Sequence, residues 1–155
     1  MTPPLKALSV LWLCGLPLAA TAQDQGLRCH LRSYLGTLEH PLSIEDVCLS
    51  GPWVFAAASG DGLAVFDIAD PESPVLIGTW DTPGDARRVS VIGSLGYLAD
   101  GAGGLRIVDL TNPDSPSSLS VFNGVEYAWD VSVQGSIVYL ADPGADELVA
   151  VDAAD

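Results

Sequence analysis

The sequence predicts an all-β protein built of β-propeller blades: four-stranded antiparallel units of 42 residues, about three of them, forming part of a propeller. Three observations carry this. The first is repetition. Val47, Val89 and Val131 lie 42 residues apart, and the same step links Gly51 to Gly93 to Gly135, Phe55 to Tyr97 to Tyr139, and Ala57 to Ala99 to Ala141. Four-stranded propeller repeats have about this period, roughly 40–45 residues. The second is turn chemistry between short apolar runs. The third is that apolar residues sit side by side, as in Ile107-Val108, which suits sheets covered on both faces.

Taken in order, the chain opens on a targeting segment, residues 1–22. Lys6 supplies a positive charge, the apolar run 7–18 is short for a membrane span, and Ala20-Thr21-Ala22 is a small-x-small cleavage site. Residues 23–32 read as a loose terminus. Residues 33–42 read as an outer strand, because Gly36-Thr37 repeats Gly78-Thr79. An N-terminal outer strand can complete the last blade of a ring and remove a free edge.

Unit one spans 43–84, unit two 85–126, and a truncated unit three 127–155. In unit two, strands are expected over 87–92, 96–99, 105–108 and 117–122. Gly93-Ser94, then Asp100 to Gly104, then Asn112 to Pro116 supply the turns. In unit three one residue is inserted within 143–147, where a loop tolerates it. Three blades are fewer than the four to eight usual for a ring, so the expectation is the N-terminal part of a longer propeller. Self-association that pools blades is the other route.

The strings Tyr97-Leu98-Ala99-Asp100-Gly101 and Gly104-Leu105-Arg106-Ile107-Val108-Asp109, followed by Asn112-Pro113 and Ser115-Pro116, resemble the LVIVD repeat family. The resemblance covers residues 33–155 and is strongest in unit two. It implies blades of the kind found in secreted and cell-surface proteins, and no shared catalytic chemistry. Unit one departs from the pattern at Ala58 and Phe66, and unit three at Val149-Ala150-Val151.

The formal charge is −14 and the pI about 4.1. That balance argues against nucleic acid and against an anionic membrane surface. In an up-and-down blade the second-to-third and fourth-to-first turns emerge at one end. Those turns hold Asp61, Asp81, Asp85, Asp100, Glu126, Asp142, Asp146 and Glu147, so one face is expected to be acidic and to suit a basic partner. Calcium is the cation such a face would suit, but no D-x-D-x-D-G string exists, and no cofactor is expected. Asp67, Asp109 and Asp152 recur at third-strand ends and are read as Asx turns. Asp100 and Asp142 get the same reading, and Phe55, Tyr97 and Tyr139 are expected to pack between blades.

Cys29 and Cys48 remain after signal cleavage and are candidates for a disulfide, the alternative being two partly buried thiols. His30 and His40 lack the spacing of a zinc site. No nucleophile elbow, P-loop, H-E-x-x-H or C-x-x-C occurs. The leading expectation is therefore an exported, non-enzymatic scaffold, secreted, periplasmic or extracellular, that binds a protein or cell-surface partner without inserting in the membrane. Two alternatives stand beside it. One is a propeller enzyme of hydrolase or quinoprotein type whose site lies in further blades. The other is a purely structural segment of a surface protein.

Overall fold

The computed structural model describes residues 42–154. Among them are eleven strands and no helix. The first sheet holds β1 (Asp46–Ser50), β2 (Trp53–Ala57), β3 (Leu63–Asp67) and β4 (Val75–Trp80). The second holds β5 (Arg88–Ile92), β6 (Leu95–Ala99), β7 (Leu105–Asp109) and β8 (Ser117–Phe122). The third holds β9 (Asp130–Gln134), β10 (Ile137–Asp142) and β11 (Glu147–Asp152). Each sheet runs in chain order with antiparallel neighbours, as an up-and-down blade should. The expected strands of unit two are met to within a residue. The 1–22 segment, the outer strand as far as residue 41, Cys29, His30 and His40 lie outside the described residues.

The 42-residue step reappears in backbone geometry. Gly51, Gly93 and Gly135 take φ of 60°, 62° and 63° in the two-residue hairpins between first and second strands. Glycine first in such a loop fits the type II′ turn, whose twist matches the flanking strands. A bulge falls between Val65 and Phe66 and again between Ile107 and Val108. Both sheets therefore bend at the same third-to-fourth pairing. The recurring aspartates close Asx turns: Ala69, Thr111 and Ala154 donate backbone N–H groups to Asp67, Asp109 and Asp152 at 2.8, 2.8 and 3.0 Å.

Each sheet buries one face against the next. Phe55, Ala57, Leu63 and Val65 on the trailing face of the first sheet pack with Val89, Leu98 and Val108 on the leading face of the second. One step on, Tyr97, Ala99 and Leu105 pack with Val131, Val138 and Leu140. Phe55 and Tyr97 are accordingly 2% and 4% exposed. The third residue of the series behaves otherwise. Tyr139 is on the trailing face of β10; no described sheet lies against it, and it is 37% exposed. Among the first strands, β5 lies against both β1 and β9.

Backbone bridges tie the sheets together. Ser59, in the β2–β3 turn, exchanges two hydrogen bonds with Ala86, at 3.1 and 2.9 Å; Gly101 and Ala128 do the same at 3.0 and 2.9 Å. Ser59 and Gly101 reach this position with φ of 46° and 54°. The residue one step further is Pro143. Its ring holds φ near −65° and it has no N–H, so the third hairpin cannot copy the turn. The third hairpin has one residue more, and its left-handed residue is Asp146, at φ 57°.

Candidate interaction face

The turns between second and third strands, the connections between sheets and the starts of the first strands all come together at one end of the sheets. Six of the eight acidic residues assigned to that end are exposed there: Asp61, Asp81, Asp85, Glu126, Asp146 and Glu147. The other two require correction. Asp100 and Asp142 are 0% and 2% exposed and present no charge to solvent. The connection entering each sheet folds down over the preceding hairpin and surrounds the carboxylate with donors.

Asp142 accepts the backbone N–H groups of Glu126 at 2.7 Å, Tyr127 at 3.2 Å, Gly144 at 3.1 Å and Ala145 at 3.3 Å. Burial works against its charge, but the four N–H groups prevail and hold the carboxyl below its ordinary value. Asp100 accepts the Thr82 hydroxyl at 2.6 Å, the Gly84 N–H at 3.2 Å and Arg106 Nε at 3.3 Å. Here burial prevails and raises the carboxyl, opposed by Thr82, Arg106 and Gly84. Gly84 and Glu126 are one step apart, so the tie is a repeated device. The first sheet replaces it with Ala58, fully buried. The Asx reading therefore holds in part for Asp142, through Gly144, and not for Asp100.

Sequence reasoning missed a row of side chains at this end. Glu45, Arg87 and Trp129 are one step apart, each just ahead of a first strand. Their backbone N–H groups make the same bond, to the carbonyls of Ala57, Ala99 and Ala141, so their side chains form a row across three sheets. The Arg87 guanidinium lies 5.2 Å from the centre of the Trp129 ring and 5.9 Å from that of Tyr127, and Nε donates to the Tyr127 hydroxyl at 3.0 Å. Glu45 and Asp85 flank it at 3.8 and 4.0 Å. The Tyr127 hydroxyl, against some loss of hydration, raises the Arg87 guanidinium further above its ordinary value. Trp129 remains 46% exposed, its ring 6.0 Å from that of Tyr127.

The adjoining row, Asp46, Arg88 and Asp130, registers the sheets. Asp46 accepts the Val89 N–H at 3.0 Å, and Arg88 lies 3.9 Å from Asp130. These groups are committed to neighbours. Beside them, Trp129 keeps nearly half its surface open to solvent and Asp61, Asp81, Glu126, Asp146 and Glu147 are exposed. The legible signal was the departure from repetition itself: in a unit that keeps residue class at most positions, one surface position reads Glu, Arg, Trp.

Among the described residues no three His, Cys, Asp or Glu side chains converge as metal ligands. Cys48 is half-buried in β1, on the face turned to the second sheet; its candidate partner Cys29 is outside the described residues.

The LVIVD repeat matches residues 43–82, 83–123 and 126–155. No curated protein matches the chain. Among solved structures, the chain is similar to the computationally designed Ika8 protein, with a TM-score of 0.60 and 18% identity over 77% of this chain; it spans 36% of that one. The computationally designed Ika4 protein gives a TM-score of 0.46 and 12% identity over 76% of this chain and 96% of that one. At such identity the Ika8 likeness speaks to fold alone.

Proposed function

The chain belongs to the LVIVD repeat family, and from that premise we propose that it is an exported, non-enzymatic interaction module whose turn-bearing end binds a basic protein or cell-surface partner. One observation supports the reading: a half-exposed tryptophan, Trp129, lies at the same end of the sheets as the exposed carboxylates. Interface anchors are enriched in tryptophan and tyrosine, and a ring face attracts cations. Arg87 and Tyr127 hold the Trp129 ring in place, which lowers the ordering cost of binding. The carboxylate rim would steer a basic partner and reject acidic ones. Export rests on the 1–22 segment.

The test is calorimetric titration of the protein with a lysine- and arginine-rich peptide. Binding should weaken as salt is added, because the rim charges are exposed and screened. Trp129→Ala should weaken it about tenfold or more while leaving the fold intact. Absence of binding at low salt, or indifference to Trp129, overturns the proposal. Saturable turnover of a substrate by the purified protein overturns its non-enzymatic part.

A further inference from the structure

We infer that Asn123 is a site of spontaneous covalent modification. Its side-chain amide is lost to attack by the Gly124 backbone nitrogen, and the aspartyl or isoaspartyl product adds a carboxylate to the turn-bearing end. The pair follows β8 and opens the connection to β9. Both residues are exposed. The asparagine reaches over the β6–β7 turn: a Cβ placed on Gly104 would stand 3.1 Å from the Asn123 Oδ1. The step balances with water as its one co-reactant. The Gly124 nitrogen gives its proton to solvent and bonds to Asn123 Cγ. The Cγ–Nδ2 bond breaks, Nδ2 takes up a proton, and ammonia leaves a succinimide behind. Water then opens the ring, at Cγ to give aspartate or at the Asn123 backbone carbonyl to give isoaspartate.

The attacking nitrogen must be able to shed its proton, and a following residue without a Cβ leaves the approach open. Three pairs set Asn or Asp before glycine: Asp61-Gly62, Asp100-Gly101 and Asn123-Gly124. The Gly62 N–H donates to the Ser59 carbonyl at 3.1 Å, and the Gly101 N–H to that of Ala128 at 3.0 Å. The Gly124 N–H has no acceptor among the described residues. Asp61 and Asp100 also present carboxylates, which are poorer electrophiles than an amide. The other asparagine, Asn112, precedes Pro113, which has no N–H to give up. Glycine is moreover what the fold requires after Asn123. A Cβ on Gly124 would run into the ring of Phe122, which packs against the core between the second and third sheets.

The connection also accommodates the product. Asn123 is one repeat step from Asp81, which is exposed at the start of the equivalent connection between the first and second sheets. Modification therefore turns Asn123 into the residue its counterpart already carries. The new charge joins the exposed Glu126 and Asp146. Where this end binds a basic partner as proposed above, the attraction grows as the protein ages; the modification itself does not rest on that reading.

The experiment holds the purified full chain for days in mildly alkaline buffer at physiological temperature, beside Asn123→Gln and Asn123→Asp, and follows each by peptide mass spectrometry and anion exchange. The wild-type peptide containing Asn123 should gain the mass of an amide-to-acid exchange about tenfold or more faster than the peptide containing Asn112, whose following proline has no N–H. The intact wild type should move on anion exchange toward the position at which Asn123→Asp elutes from the start. Asn123→Gln, whose longer side chain closes a larger ring far more slowly, should not move. An Asn123 peptide that keeps its mass overturns the proposal. So does an Asn112 peptide that converts as fast, or a charge shift that Asn123→Gln shows equally.

Discussion

Asp142 receives four backbone N–H groups from two separate loops and thereby fixes the connection between the second and third sheets. Its pH behaviour follows from the direction of its shift. A carboxyl held below its unfolded value, about 3.9 for aspartate, adds stability above that value and loses it as pH falls through the folded value. Asp109, lowered by the Thr111 side chain and N–H, has the same sign. Asp100 has the opposite sign: its raised carboxyl disfavours the folded state once pH climbs through the folded value. Asp142→Asn should therefore lower the melting temperature at neutral pH. The gap from wild type should narrow on acidification from about pH 7 to about pH 3. Thermal melts across that range check this, and a gap that widens in acid contradicts it. The burial of Asp100 and Asp142 was not legible in the sequence. It depends on a loop some 16 residues away folding over the hairpin, and an aspartate before glycine or proline in a turn looks the same whether exposed or covered.

At the level of the strand and hairpin, sequence and structure agree closely, because local turn chemistry decides both. Gly62 and Gly104 open the third strands with φ of 75° and 78°. A Cβ on Gly104 would run into the Phe122 carbonyl oxygen of the fourth strand, and one on Gly62 into that of Trp80. Gly93 shares the left-handed backbone, at 62°, but has open space around it. The two effects can thus be separated. Gly93→Ala should cost about 1 kcal/mol, the backbone term alone. Gly104→Ala should cost about 2 kcal/mol or more, since the fourth strand must also shift. Denaturant unfolding of both variants measures the difference; equal losses would mean that β8 is not held against β7 as described. The proline at 143 belongs to the same scale. The insertion it accompanies was visible in the sequence, but that Pro143 stands where the other hairpins are left-handed needed the φ values of Ser59 and Gly101.

For the molecule as a whole, the stacked sheets were legible from the 42-residue period, since hydrophobic class recurs wherever one sheet meets the next. The row of Glu45, Arg87 and Trp129 shows in the sequence only as a departure from the repeat, because it lies where the repeat stops constraining the residue. Tyr139 differs from its equivalents Phe55 and Tyr97 in having no described sheet against it, and it is 37% exposed. The proposed function rests on the three sheets standing as one continuous stack that gathers their turns at one end. The most direct test is hydrogen exchange at the four bridging amides, Ser59, Ala86, Gly101 and Ala128. If the stack is continuous they exchange as slowly as amides inside β2 and β6. If they exchange as fast as the exposed turn residues Gly60 and Ala102, the sheets are not joined and the shared interaction face does not exist.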